Sequence, residues 1–291
     1  MLAELSSIIA PVLIIVALGY VWARRGFGFA TDFVTVLVTY VATPCLIFST
    51  LTKLQVSPAA FGQMALAGLT TALCTGILGV VVLRLAALPL RSFLPSVIFG
   101  NSGNLGLPLS FVAFGETGLA LAIANFSVLS ISNFTVGQWI SAGATSVRQV
   151  LRQPVIYAVV AVVVFMLAGT EPPRWLANTV GLLGAVAIPL LLLSLGVALA
   201  RLRLRSLGRA FFVSVIRLAG GLVIALLVAT AYDLGHTGRG VLVLQGAAPA
   251  AVFNYLFAQR YGRAPEEVAG VVLTSSLMFF LALPVLLLLV L

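Results

Sequence analysis

Charged side chains are scarce in this chain. Asp, Glu, Lys and Arg make up only 8% of its 291 residues, whereas hydrophobic residues make up 62%. An ordinary soluble domain carries about 25% charged residues, so this composition excludes a soluble globular protein. Apolar stretches of about 15 to 25 residues, the length of a membrane-spanning helix, fill most of the chain. The sequence therefore predicts an all-α protein that lies in a lipid bilayer.

Acidic residues, histidine and cysteine are also few. The seven acids lie at or near the ends of the apolar stretches, His236 lies in a loop, and Cys45 and Cys74 have no metal-ligand spacing. An enzyme acting within the membrane needs paired acids, a Ser–His pair or a metal cluster inside its spans. A proton relay normally needs a buried ionisable residue. We therefore expect no enzymatic activity, no metal ion and no cofactor, and the sequence identifies no proton carrier.

Ten apolar segments predict ten transmembrane helices, called spans 1 to 10 below. Twelve of the 16 basic residues lie in loops after odd-numbered spans, three lie on the opposite side, and Arg217 lies within span 8. Since cytoplasmic loops are enriched in Lys and Arg, this predicts an inner or plasma membrane protein with both termini outside the cytoplasm. The basic residues are scattered over separate loops, so no nucleic-acid partner is predicted. The spans cover residues 5–22, 32–52, 61–83, 93–114, 117–141, 154–169, 174–199, 207–231, 239–258 and 265–290.

The two halves of the chain resemble each other. Pro11 and Pro154 begin spans 1 and 6 at an offset of 143 residues, and Gly115 and Gly262 follow spans 4 and 9 at an offset of 147. Because five spans is an odd number, the second half enters the membrane in the opposite orientation, an arrangement found in many transporters. The alternative is coincidence among apolar segments that contain proline. We predict two inverted five-helix repeats, residues 1–141 and 154–291, joined by a cytoplasmic linker, residues 142–153.

Spans 4 and 9 are interrupted near their middles. The segments IFGNSGNLGLPLSF, from Ile98, and VLVLQGAAPAAVFNYLF, from Val241, contain residues that weaken or break a helix. Backbone groups freed by a break are tolerated in lipid only where protein or a watery cavity satisfies them, which indicates an interior site. Half-helix N-termini can hold an anion there. The alternative is a pair of kinks that only help helices to pack. The polar residues beside the breaks are Asn101, Ser102, Asn104, Gln245 and Asn254.

The ten-span pattern and three motifs resemble the auxin efflux carrier family. The motifs are GNSGNLGLPL in span 4, APAAVFNYLFAQRYG in span 9 and VVLTSSLMFFLALPVLLLL in span 10. The resemblance implies secondary transport of small organic anions such as malate, malonate or auxin-like carboxylates. It also implies elevator-type alternating access, with spans 3–5 and 8–10 as a mobile transport domain and spans 1, 2, 6 and 7 as a scaffold that forms a homodimer. In that family pattern the substrate site lies where broken spans 4 and 9 cross, at Asn101, Asn104, Pro108, Pro249 and Asn254.

The sequence leaves two points open, the ion to which transport is coupled and the mode of transport. The related sodium and bile acid symporters are similar in architecture but use a carboxylate in the second crossover as part of a sodium site, and QGAAPAAVFN contains no acid. Uniport, exchange and co-transport of the protonated acid all agree with the sequence. A channel or a non-transporting sensor on the same fold agrees as well, because either can line a cavity with polar groups.

Four further polar residues lie inside predicted spans. Ser127 and Asn133 in span 5, with Ser275 in span 10, can either line a cavity or join helices through hydrogen bonds. Arg217 lies near the middle of span 8, where a charge is costly. It can bind a substrate carboxylate, or it can snorkel to the interface or pair with another group.

Overall fold

The computed structural model describes residues 2–54, 57–143, 151–168, 170–202 and 207–291. These residues form helices and loops, without any strand longer than one isolated bridge, so the all-helical prediction is confirmed for this part of the chain. The helices are α1 (Leu2–Arg24), α2 (Thr31–Leu37), α3 (Thr43–Leu54), α4 (Pro58–Leu85), α5 (Leu90–Ile98), α6 (Leu107–Ser132), α7 (Gln138–Ala142), α8 (Pro154–Ala168), α9 (Arg174–Ala185), α10 (Ala187–Arg201), α11 (Leu207–Val215), α12 (Gly221–Ala231), α13 (His236–Gly246), α14 (Val252–Tyr261) and α15 (Pro265–Val290).

Seven helical segments of the described ranges are long and apolar enough to cross a membrane, judged by length and composition. Many large side chains on their outer surfaces are exposed and apolar, among them Leu85, Leu182 and Leu281. An exposed apolar surface of this extent suits contact with lipid. The seven segments are Leu5–Arg24, Thr31–Lys53, Ala59–Leu85, Ser102–Ala142, Arg174–Arg201, Gly208–Ala231 and Pro265–Val290.

The difference between seven segments and ten predicted spans has three physical causes. Predicted span 9 is divided into α13 and α14, of 11 and 10 residues, each about half the length that crosses a bilayer. Predicted span 6 corresponds to α8, which has 15 residues in the described ranges. The first part of span 4 is the separate nine-residue helix α5, and its second part continues into span 5. The ten-helix inverted repeat therefore stays a prediction.

A sharp break at Gly115 divides the long segment Ser102–Ala142. This segment has 41 residues, and a straight helix of that length would measure about 60 Å, twice the hydrocarbon thickness of a bilayer. Gly115 has φ 64° and ψ −156°, a backbone conformation that is essentially restricted to glycine. The break coincides with the predicted boundary between spans 4 and 5.

In the described ranges, four π-helical turns interrupt the helices, at Val38–Ala42, Ser102–Gly106, Asn133–Gly137 and Ile216–Gly220. Single π turns inside α-helices are frequent at functional sites. Ser102, Asn104, Asn133 and Arg217, all predicted site residues, lie on three of these turns. The fourth turn joins α2 to α3, whose relation to the same site is described below.

The helices pack in two groups. In the first group α1 lies along α10, and α3 packs against α8 and α9. In the second group α4 packs against α5, α6 and α12, while α15 packs against α11 and α14 and α13 packs against α6 and α12. The groups contact each other mainly where α10 meets the turn Ser102–Gly106 and where α3 meets α6.

Candidate functional site

The two interrupted segments are paired through their backbones. Gly100, which follows α5, and Ala250, which follows α13, form an isolated antiparallel bridge. The N–H of Asn101 donates to the carbonyl of Pro249 at 2.7 Å. Each break therefore satisfies backbone groups that the other break leaves without helical partners, as the membrane interior requires.

Asn254 and Ser275 stabilise this pairing with their side chains. The carbonyl of Phe99 accepts hydrogen bonds from the Ala251 N–H at 3.1 Å and from Asn254 Nδ2 at 3.0 Å. The Oγ of Ser275 accepts from the Ala250 N–H at 3.1 Å. Both side chains are buried, and neither lines the cavity described next. They stabilise the paired segments on the side that faces away from the cavity.

A cavity of about 370 Å³ lies between the two packing groups, beside the paired breaks. This volume is within the usual range of small-molecule sites. One wall consists of the break Phe99–Asn104 with parts of α6 and the start of α14, and the opposite wall consists of α2, α3, α8 and α10. Phe99, Phe126, Phe134 and Phe253 give the cavity an aromatic part. Its polar lining residues are Thr31, Thr35, Thr39, Thr43, Asn101, Ser102, Asn104, Ser130, Asn133, Gln153, Ser194, Arg201 and Tyr255.

Asn101, a residue of this wall, carries a buried hydrogen-bond donor without a partner. Its Oδ1 accepts from the N–H of Asn104 at 3.2 Å, which fixes the orientation of the amide and caps the turn that follows. The buried Nδ2 atom makes no hydrogen bond to the described protein, and neither does the Oδ1 atom of Asn133. Buried polar atoms are nearly always paired, so both atoms are exceptions. Neither has accessible surface in the cavity, and each can bind a ligand only when its side chain turns toward the cavity.

Several groups at the cavity wall carry positive or partial positive charge. Two helices begin at its wall, α14 and the turn Ser102–Gly106 that continues into α6, and helix N-termini carry partial positive charge. The first residue before α14, Ala251, has no side chain that can cap the free N–H groups. Arg201 is the one charged residue among the described lining residues, and its Nη1 donates to Thr31 Oγ1 at 2.6 Å.

Arg217 lies behind the breaks, only 3% exposed. The guanidinium has five N–H groups, and it makes five hydrogen bonds of 2.9 to 3.3 Å to backbone carbonyls. Two carbonyls belong to the last residues of α5, two to the last residues of α13 and one to the segment after α13. The acceptors are Val97, Ile98, Gln245, Gly246 and Ala248.

The other predicted site residues also lie behind the cavity wall. Gln245 accepts from Asn125 Nδ2 at 2.6 Å and donates to the carbonyl of Ala122. Ser127 donates to the carbonyl one turn earlier in α6, and Pro108 is buried in the first turn of that helix. The structure thus brings Asn101, Ser102, Asn104 and Asn133 together on the cavity. Pro108, Ser127, Arg217, Gln245, Pro249, Asn254 and Ser275 lie outside its lining.

Sequence reasoning missed the opposite wall, although a signal for it exists. Thr31, Thr35, Thr39 and Thr43 follow one another at intervals of four residues, so they lie along one face of predicted span 2. All four line the cavity. A polar stripe at helical spacing inside an apolar span indicates a face turned away from lipid.

The apolar helices, with a cavity between them, are those of a multi-pass membrane protein. The family described as "Membrane transport protein" matches residues 5–142 and 141–287 of the chain. The chain therefore belongs to this family, that of the auxin efflux carriers, which confirms the resemblance found in the motifs.

Similar proteins come from a bacterium and from archaea. A protein of Rhizobium meliloti (strain 1021), named "Putative malonate transporter", is 24% identical over 95% of this chain and 93% of its own length. An uncharacterized transporter of Methanothermobacter thermautotrophicus is 27% identical over 95% of both chains. An uncharacterized transporter of Methanocaldococcus jannaschii is 23% identical over 88% of this chain and 89% of its own length.

Proposed function

We propose that this transporter is a secondary carrier of small organic acid anions, such as malate, malonate or auxin-like carboxylates. The observation that carries the proposal is the unused Asn101 Nδ2 donor in a cavity wall where two helix N-termini begin. The described lining contains no acid, so no carboxylate side chain there repels the substrate. The relative named for malonate supports this substrate class.

A carboxylate fits the wall formed by the two breaks. Its oxygens can accept from the Ser102 hydroxyl, from free N–H groups at the start of α14 and, once the Asn101 amide turns toward the cavity, from Asn101 Nδ2. The aromatic side chains of Phe126, Phe134 and Phe253 then lie beside the rest of the substrate, with Phe134 and Phe253 in edge-to-face contact at 5.3 Å. Polar groups in this scheme bind the acid, and the aromatic part of the cavity selects among acids by the size of their apolar part.

The carrier is proposed to work by elevator-type alternating access with ten spans in two inverted repeats. The first packing group, α1 to α3 with α8 to α10, is the scaffold and the homodimer contact. The second group, α4 to α7 with α11 to α15, is the transport domain, in which α5–α6 and α13–α14 are the broken crossover helices. The position of the cavity between these groups supports this division, because relative movement of the groups opens or closes it.

The cavity reaches toward the loops that are rich in arginine. Thr31, Gln153 and Arg201 lie at the ends of spans that border the loops after spans 1, 5 and 7. The excess of basic residues in these loops supports a cytoplasmic location, in an inner or plasma membrane protein with both termini outside. The described conformation is then the inward-facing one.

Uptake into proteoliposomes tests the proposal. Labelled malonate, malate, a monocarboxylate and indole-3-acetate are offered with a proton gradient, a sodium gradient or no gradient. We expect saturable uptake of at least one acid, stimulated by the same unlabelled acid on the opposite side. Flux that does not saturate would indicate a channel, and tight binding without flux would indicate a sensor.

A further inference from the structure

We propose that the guanidinium of Arg217 is a resident cation, which neutralises the C-terminal ends of both broken helices and makes a coupling sodium ion unnecessary. The inference rests on the proposed function, since coupling has meaning only in a carrier. It assigns Arg217 a positioning role at the crossing and not a contact with the transported acid.

Four of the five carbonyls around Arg217 belong to the last residues of their helices, and one of them, that of Gln245, also accepts from the Ala248 N–H at 3.2 Å. The last carbonyls of a helix lack intrahelical N–H donors. In α5 these include Val97 and Ile98, and in α13 they include Gln245 and Gly246. The guanidinium donates two hydrogen bonds to each helix end. Without it, the membrane interior would hold four carbonyls that lack this partner.

The charges balance as well as the hydrogen bonds. A helix C-terminus carries about −0.5 of an elementary charge, so two helix ends together carry about −1. This matches the +1 charge of one guanidinium. None of the hydrogen bonds described for Arg217 goes to a carboxylate, so the helix ends compensate the buried charge.

A coupling cation commonly occupies this kind of place. In transporters with broken helices, unwound carbonyls and half-helix C-terminal ends coordinate Na⁺ or accept its positive charge. Here covalently attached nitrogen atoms lie among those oxygens at 2.9 to 3.3 Å. The space is filled to contact, because a Cβ atom added at Gly100 would lie only 2.2 Å from Arg217 Nη2. A sodium ion would have to displace the guanidinium.

Chemical rescue tests this assignment. In Arg217→Ala, we expect transport in proteoliposomes to fall by about tenfold or more, because the helix ends lose their partner. Free guanidinium at millimolar concentration should restore part of the rate, whereas the same concentration of sodium or choline chloride should not. Arg260→Ala is the matched control, because Arg260 is exposed and lies over the Tyr261 ring. Guanidinium should leave that variant and the wild type unchanged.

Stability measurements separate the inference from the proposed function. If the wild type moves none of the acids offered, the proposed function fails, and the thermal midpoint still tests Arg217. Guanidinium should raise the midpoint of Arg217→Ala but not that of the wild type or of Arg260→Ala. If Arg217→Ala folds and guanidinium changes neither its transport rate nor its thermal midpoint, the inference is overturned.

Two further results complete the test. Wild-type transport should keep its rate when choline replaces sodium, and a sodium requirement of about tenfold or more would overturn the inference.

If Arg217→Ala does not fold, Arg217→Lys replaces it, because an ammonium keeps the charge but has three donors instead of five. We expect Arg217→Lys to fold with a lowered midpoint and rate. Wild-type values for both would show that two-ended contact is unnecessary and would overturn the inference.

Discussion

The N–H of Asn101 donates a 2.7 Å hydrogen bond to the carbonyl of Pro249, which lies in the other half of the chain. This bond joins two breaks that the chain produces independently, one rich in glycine and asparagine and one built around a proline. The free Asn101 Nδ2 atom lies on the residue that makes this bond. The groups that hold the crossing together and the groups proposed to hold the substrate are therefore adjacent.

Asn101 and Asn254 allow the two roles to be separated. Asn101→Ala removes a cavity donor and a helix cap, whereas Asn254→Ala removes the 3.0 Å bond to the Phe99 carbonyl behind the cavity. Each change should cost about 1 kcal/mol of stability. The KM for the transported acid should rise about tenfold or more only in Asn101→Ala. Thermal midpoints and uptake kinetics of both variants check this, and equal KM values would contradict the assignment of Asn101.

Arg201 is expected to attract the anion to the cavity. Its side chain is exposed, lines the cavity and donates to Thr31 Oγ1. Arg201→Gln should lower the apparent affinity several-fold and weaken the dependence of uptake on ionic strength, because a partly solvated charge acts through a screened field. Arg84→Gln, another exposed arginine but outside the cavity lining, is the control. If uptake by the wild type, Arg201→Gln and Arg84→Gln depends on ionic strength in the same way, Arg201 does not attract the anion.

An ion pair connects the two packing groups. Lys53 Nζ in α3 lies 2.5 Å from Glu116 Oε1, directly after the break at Gly115, and both side chains are well exposed. Exposed pairs contribute about 0 to 1 kcal/mol, so Glu116→Gln should change the ratio of inward-facing to outward-facing carriers by no more than about fivefold. Cysteine labelling at the cavity, in low and high salt, measures the ratio. The exchanged pair Lys53→Glu with Glu116→Lys should restore it.

Gly115 is expected to be intolerant of substitution. A side chain at φ 64° and ψ −156° is strained even though no atom lies within 4 Å of the added Cβ. Gly115→Ala should therefore lower the free energy of unfolding by about 1 to 3 kcal/mol. Gly62→Ala is the control, because Gly62 also has open space but lies within helix α4 at an ordinary φ. A detergent thermal midpoint that is unchanged in Gly115→Ala would contradict this prediction.

The sequence predicted the positions of the breaks but not which polar groups face the cavity. Glycine, asparagine and proline in an apolar segment mark a break directly. Whether Ser127, Gln245 or Ser275 faces a cavity depends on how each helix is rotated against its neighbours, and that rotation results from packing across the whole molecule. Asn133 lines the cavity, while Ser127, on the same predicted span, donates to its own helix.

The hydrogen-bond partners of Arg217 could not be predicted from the sequence. Its acceptors are backbone carbonyls on two helices, α5 and α13, and a carbonyl carries no residue-specific signal. Only the unusual presence of an arginine inside a span could be recognised. The four threonines at intervals of four residues in predicted span 2, the threonine stripe, differ because their spacing is visible in the sequence. Only the part of the molecule that this face contacts had to come from the structure.

The backbone bridge between Gly100 and Ala250 also restricts how the cavity can change shape. Moving the two breaks apart would leave N–H and carbonyl groups unpaired in the interior of a membrane. Each unpaired group would cost several kcal/mol, about as much as the free-energy difference between two conformations of a protein. In the proposed elevator mechanism the two breaks therefore move as a single stiff body with the transport domain, past the threonine stripe of the scaffold. Donor groups on the breaks would keep their mutual geometry throughout such a motion, so a substrate of the proposed class would meet the same donors from either side of the membrane.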